Sequence, residues 1–424
     1  MWLVPQLICW LALIADGYEV FVYGATLPLI IHEKTWGITA ASAGTVGSVS
    51  LVGLLIGAFG AGTLTDVFGR RRLFLFSLTF YSLSALFCAA AANLATFGAA
   101  RFMTGLGIGG MMPIVVSIAS EFAPPRYRHR VVCAVLTGPF FGAVVASFAA
   151  LVLLPHGSFR AVYALGAIPL VTVLPMAFAW LPESMSYLWL HRQELEAGIV
   201  ASKYGLDEST EKVADVRPAR SPIVALFQPQ YRWATIGFWL TMVIILLIIY
   251  ATSTWLPHFM VQAGFPLGSS LEFLMLYSVS SIIGSVIVSW IAERTGARTM
   301  IVIGFFLCAA GFVLIAGASR IAAICAVVVA GFGTAAVLNL MLDHIAGFYP
   351  AAARATGVGW ANGVGRFGAI AGPSYGGMVL TISHGSPMIA ALGFALPAIL
   401  GGLVVGIPLQ RSPQSGSASA APQR

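Results

Sequence analysis

Apolar runs close to twenty residues long recur along this chain, from its first residues to beyond position 400. A helix of that length crosses a hydrocarbon core of about 30 Å. Composition removes the soluble alternative. Of 424 residues, 59% are hydrophobic and only 9% are charged, against about 25% charged in soluble proteins. The expected fold class is therefore an all-α membrane protein.

Twelve spans are expected, at 5–31, 43–65, 73–93, 97–121, 131–154, 159–181, 232–256, 270–292, 299–318, 321–347, 355–381 and 387–409, called spans 1 to 12 below. The first begins almost at Met1, yet MWLVPQ carries no Lys or Arg and no cleavage site follows, so a retained span is expected rather than a signal peptide. A start upstream of Met1 stays open. The one long polar segment, 182–231, separates a bundle of six helices (1–181) from a second (232–410), and a small polar tail, 411–424, is expected to be disordered.

Basic residues set the orientation. Arg70, Arg71, Arg72, Arg126, Arg128, Arg130, Arg294, Arg298, Arg354 and Arg411 fall on the side of the 182–231 segment, which adds Lys203, Lys212 and Arg217. The opposite connectors hold Lys34, Arg160 and Arg320. The positive-inside rule then puts both termini in the cytoplasm of a multi-pass plasma-membrane protein, the inner membrane of a bacterium. It also accounts for the net charge of +7 without nucleic acid. Cys9, Cys88, Cys133, Cys308 and Cys325 all lie in apolar runs and read as small core residues.

The halves repeat. GTLTDVFGRRR (62–72) follows span 2, and AERTGAR (292–298) follows span 8. An acid, a glycine and basic residues at equivalent turns indicate parallel repeats about an axis along the membrane normal.

Several ionisable groups lie deep in the spans. Asp16 and Glu19 are three residues apart on span 1 and share a helix face, with Tyr23 close to the same stripe. Each acid costs about 2.5–3.5 kcal/mol at the bilayer centre, and two carboxylates in a low dielectric resist ionising together, which suits one of them to carry a proton. The alternative is a pair of structural hydrogen-bonders. Arg101, early in span 4, either snorkels to the headgroups or faces inward to pair with a span 1 acid; Gly105, Gly109 and Gly110 after it let another helix approach. Arg366 sits near the middle of RATGVGWANGVGRFGAIAGP (354–373) and stays charged. With Asn362 one turn earlier it suits a carboxylate, the alternative being a structural ion pair. Trp360 and Phe367 are positioned to stack an aromatic ring, or else face lipid and neighbouring helices. Asp343 lies toward the end of span 10, away from Arg366. Span 7 has no ionisable residue at depth, so proton handling falls to the first half and anion binding to the second.

Four motifs resemble the major facilitator superfamily, and within it the bacterial aromatic acid:proton symporters: DGYE in span 1, GTLTDVFGRRR after span 2, RFMTGLGIGG in span 4 and ATGVGWANGVGRFGAIAGP in span 11. LPES (181–184) and SPIVALF (221–227) also look like that family, and the likeness covers nearly the whole chain. It implies two six-helix bundles around a central cavity. It also implies that Asp16, Glu19, Arg101 and Glu121 serve proton coupling and that Arg366, with Asn362, Tyr23 and Trp360, serves substrate. Gly62, Asp66, Gly69 and Arg70 would form a cytoplasmic gate, with Glu293 and Arg294 its second copy. Glu19 stands where an Asp is usual, Val67 where a basic residue is usual, Ser186 replaces a common basic residue, and Ala297 weakens the second gate.

The expected function is proton-coupled import of a small organic acid, most plausibly an aromatic carboxylate, by alternating access. An inside-negative potential opposes an entering anion by about 2.3 kcal/mol per 100 mV, and one proton cancels that term. A proton-coupled exporter of aromatic compounds or drugs on the same fold is the alternative; a transport-dead receptor fits poorly, since the central segment holds no signalling domain. No nucleophile–base pair, metal cluster or phosphate loop points to an enzyme. No cofactor beyond the coupling protons, no nucleic-acid partner and a monomer in the bilayer are expected.

Overall fold

The computed structural model describes residues 2–33, 36–124, 126–155, 158–191, 194–204, 224, 226–316 and 319–407. The tail and most of the 205–223 stretch lie outside these residues. Among the described residues, eleven segments are long and apolar enough to cross a membrane, from Leu3–Ile31 to Pro387–Gly406. The expected span 11 is the exception. It forms a helix, Ala351–Ile382, of 32 residues, but its glycines with Arg354, Asn362 and Arg366 make it too polar to count by hydropathy. Length alone suits it to span.

Backbone proximity divides the chain into two compact units. One holds Met1–Val216 with Ser253–Ser278, and the other holds Arg217–Thr252 with Val279–Arg424. The division cuts through helices Arg232–Gln262 (span 7) and Leu267–Thr295 (span 8). It is not a plain split at the central segment.

In the first unit span 1 (Leu3–Ile31) packs along span 5 (Gly138–Leu153), and span 2 (Ala40–Phe68) along span 4 (Leu94–Gly109). Small residues make these approaches possible. Gly105 and Gly109 lie against the backbone carbonyls of Ser50 and Leu54 on span 2, and Gly142 against span 1 at Ile14. A side chain at any of these would push the helices apart. In the second unit the same device brings Gly368 against the Val243 carbonyl of span 7 and Gly333 against Gly304 of span 9.

Span 6 is broken. It runs as helix Phe159–Leu165, a 3-10 turn Ile168–Leu170 and helix Val173–Trp180. Pro169 supplies no amide donor inside that turn, and Gly166 ends the first piece.

The internal repeat is visible in atomic detail. Gly69 and Gly296, at the turns after spans 2 and 8, both take the left-handed backbone, with φ of 90° and 89°. Two residues on, Arg71 donates to the Phe178 carbonyl at the end of span 6, 2.7 Å away. Arg298 donates to the carbonyls of Val405 and Gly406 at the end of span 12, at 3.1 and 3.0 Å. Each arginine satisfies carbonyls that a helix end leaves without partners. Cys9, Cys88 and Cys308 are buried as expected, whereas Cys133 and Cys325 are exposed, because the membrane lets an apolar side chain face outward at little cost.

Candidate functional site

The first unit holds a buried charge site. Glu19 is fully buried, and among the described residues neither carboxylate oxygen has a hydrogen-bond partner. Arg101, 3% exposed, reaches it from span 4: one terminal nitrogen lies 3.8 Å from Glu19 Oε2 and donates to the Glu19 backbone carbonyl at 2.9 Å. Arg101 therefore turns inward rather than snorkelling. Its guanidinium lies 5.5 Å from the Tyr23 ring and 5.9 Å from the Tyr163 ring, cation–π contacts that hold the charge away from water. Tyr23, expected beside the substrate, is thus brought to Arg101, and its hydroxyl donates to the Ala43 carbonyl at 2.6 Å.

The break in span 6 meets this pair. Gly166 lies so close to the Glu19 carboxylate that no side chain fits there without moving it, and the Ala85 methyl closes the other side. Tyr18, between the two acids, donates to the Val162 carbonyl at 2.5 Å and anchors span 1 to span 6 just before the break. Asp16 is buried, and the Tyr81 hydroxyl is within electrostatic reach of both carboxyl groups.

Glu121 belongs to a different cluster. It stands 20 residues beyond Arg101, roughly 30 Å along a helical path. There it pairs with Arg70. Arg70 also donates to the Ser184 hydroxyl at 3.0 Å, and that hydroxyl donates to Glu121 at 3.1 Å. The Met185 amide donates to the second Glu121 oxygen at 3.2 Å. Glu183 accepts from the amides of Arg71 and Ser184 at 2.9 and 3.0 Å, an anion at the first turn of span 3 (Arg70–Ala90), where the helix dipole favours it. Gly69 is required twice over: its φ is positive, and a Cβ would lie 2.7 Å from Glu183 Oε2. Glu183 and Ser184 are not among the residues expected at the site. Their signal in the sequence is LPES, a short polar motif at the end of an apolar run.

Gly62 and Asp66, expected in this gate, fall within helix Ala40–Phe68, but the surroundings of Gly62 and the Asp66 side chain lie outside what the structure describes. In the second half Glu293 and Arg294 are exposed, and Arg294 sits 4.5 Å over the Trp290 ring. Ala297 occupies the position equivalent to Arg70, so no guanidinium is available there to build a matching cluster.

In the second unit Arg366 and Asn362 are half-buried on span 11 (Ala351–Ile382). Next to them, a methyl group added at Gly359 or Gly363 would meet no atom within 4 Å. The helix thus has a packed edge, Gly365, Gly368 and Gly372 against span 7, and an open one beside the guanidinium. Trp360 is 45% exposed and stacks on Trp239, ring centroids 5.9 Å apart. Phe367 is exposed.

Comparison with known proteins gives the family. The Major Facilitator Superfamily model matches residues 9–373 and 269–422. The chain is 30% identical to the benzoate transport protein of Acinetobacter baylyi, over 92% of this chain and 86% of that one. It is 31% identical to the gallate transporter of Pseudomonas putida, over 95% and 91%. The xylose transporter XylE from E. coli, in an inward open conformation, superposes with a TM-score of 0.74 at 17% identity, covering 96% of each chain; that likeness speaks for the fold alone. The chain is a multi-pass membrane transporter and not an enzyme. It belongs to the major facilitator superfamily and, within it, to the family that contains these aromatic-acid carriers.

Proposed function

We propose that this protein is a proton-coupled symporter that imports an aromatic carboxylate across a bacterial inner membrane by alternating access, with both termini in the cytoplasm. The observation that carries the reading is the Glu19–Arg101 pair, a carboxylate and a guanidinium buried together with, among the described residues, no hydrogen bond on either carboxylate oxygen. Removing one charge of a buried pair strands the other. Protonation of Glu19 does this reversibly, which makes the pair a two-state element that a proton biases. The relatives named for benzoate and gallate support the substrate class.

Arg366 offers the substrate carboxylate a planar fork of donors, and Asn362 adds an amide one turn away. The open edge at Gly359 and Gly363 leaves room for a flat ring, with Trp360 and Phe367 on the neighbouring surface of the same helix. The Arg70–Glu121–Ser184 cluster serves the cytoplasmic gate by fixing the turn after span 2 to the ends of spans 4 and 6 within the first unit.

Uptake of labelled benzoate into vesicles of defined orientation, driven by an imposed pH gradient, tests this. Accumulation abolished by a protonophore is the expected result. Accumulation that is indifferent to the gradient would overturn proton coupling, and gradient-driven extrusion would establish an exporter instead.

A further inference from the structure

Span 10 (Arg320–Phe348) is almost uniformly apolar, yet Asn339 stands exposed within it. Its amide nitrogen donates to the Ser285 hydroxyl of span 8 at 2.5 Å, the hydroxyl of Ser289 donates to the Ser285 carbonyl at 2.6 Å, and the hydroxyl of Ser281 ties the same helices through the Gly331 carbonyl at 3.0 Å. Among the described residues, the Asn339 carbonyl oxygen and the Ser285 hydroxyl hydrogen have no partner. A carboxamide facing hydrocarbon would leave those groups unsatisfied at considerable cost. The exposed positions continue at Asp343 and Gly347, at intervals of four, and a methyl at Gly347 would meet nothing within 4 Å. This stripe is a wetted face.

Its register relative to Arg366 is informative. Spans 10 and 11 are joined by the two-residue turn Tyr349–Pro350 and lie antiparallel. Counted from that turn, Asn339 lies about 14 Å along its helix and Arg366 about 22 Å along the next, at 1.5 Å per residue. Helical side chains lean toward their own N-terminus. Arg366 therefore leans toward the turn and Asn339 away from it, so the two heads converge in depth.

We propose that Asn339 and Ser285 form a subsite that reads a hydroxyl on the ring of the substrate. The inference rests on the reading that Arg366 takes the carboxylate. The amide oxygen accepts from the ring hydroxyl, and the Ser285 hydroxyl donates to its oxygen. The test is competition of labelled substrate uptake by benzoate and by 3- and 4-hydroxybenzoate, in the full-length protein reconstituted in vesicles. The wild type should favour a hydroxylated ring over benzoate. In Asn339→Leu, and separately in Ser285→Ala, that ratio should fall about tenfold, the worth of one hydrogen bond of about 1.4 kcal/mol. Asn339→Gln should restore part of it. Equal inhibition by the three acids in the wild type, or an unchanged ratio in both variants, would overturn the subsite while leaving aromatic-acid transport standing. A wild type that takes up none of the three would overturn both readings.

Discussion

Glu19 Oε2 and Arg101 lie 3.8 Å apart, beyond hydrogen-bond distance, while the same guanidinium donates to the Glu19 backbone carbonyl at 2.9 Å. The cation is held by the backbone whether or not the carboxyl is charged. Only the electrostatic part of the contact changes with a proton.

Glu19→Gln should therefore keep the helices in place and remove the charge change. Accumulation driven by a pH gradient should be lost, with exchange of internal for external substrate retained, as read by counterflow in the same vesicles. Loss of both would assign Glu19 a structural role. Asp16→Asn, measured alongside, separates the two acids.

Arg101→Lys should not rescue. A guanidinium bridges Tyr23, Tyr163 and the Glu19 carbonyl, whereas an ammonium is a point charge without the flat faces for two rings. Uptake rates in the Lys variant close to those of Arg101→Ala, at least about tenfold below wild type, are expected.

Gly166→Ala places a methyl where the Glu19 carboxylate now sits. The carboxylate has to move relative to Arg101, so the pH profile of uptake should shift while expression and counterflow persist. A variant with a lower rate at every pH and an unmoved profile would show simple misfolding instead.

At the opposite end of the unit, Glu121→Gln takes the ion pair from Arg70 and weakens the bonds from Ser184 and the Met185 amide. A loss of about 2 kcal/mol from charge-assisted hydrogen bonds should appear as a lower thermal midpoint in detergent. Gly69→Ala should add strain of about 1–3 kcal/mol from its positive φ. The equivalent change Gly296→Ala meets no neighbour within 4 Å and pays only the backbone part.

Much of this was legible from residue pattern. Apolar runs announce the helices, and the glycines of RFMTGLGIGG announce the close approach of another helix, without saying that it is span 2. An arginine and an acid at depth announce each other, since neither is tolerable alone. What the pattern hides are pairings set by tertiary packing. Nothing local distinguishes Glu121 as the partner of Arg70, 51 residues away. Tyr23 shares a stripe with Asp16 and Glu19, but that stripe does not say which neighbouring helix it meets. Asn339 stays hidden because one amide in an apolar run reads as incidental until its exposure is known. The interruption of span 6 is concealed for a similar reason: VYALGAIPLVTVLP is apolar throughout, so hydropathy is blind to whether its backbone is regular.

That interruption also has a kinetic consequence. At Gly166, Ala167, Leu170 and Val171 the amides close short three-residue rings, such as Gly166 to the Tyr163 carbonyl and Leu170 to the Ala167 carbonyl, both at 3.0 Å. Such rings have poorer geometry than α-helical ones and open at lower cost. Deuterium should consequently enter the first unit at mid-depth, beside Glu19, sooner than it enters the unbroken helices on either side.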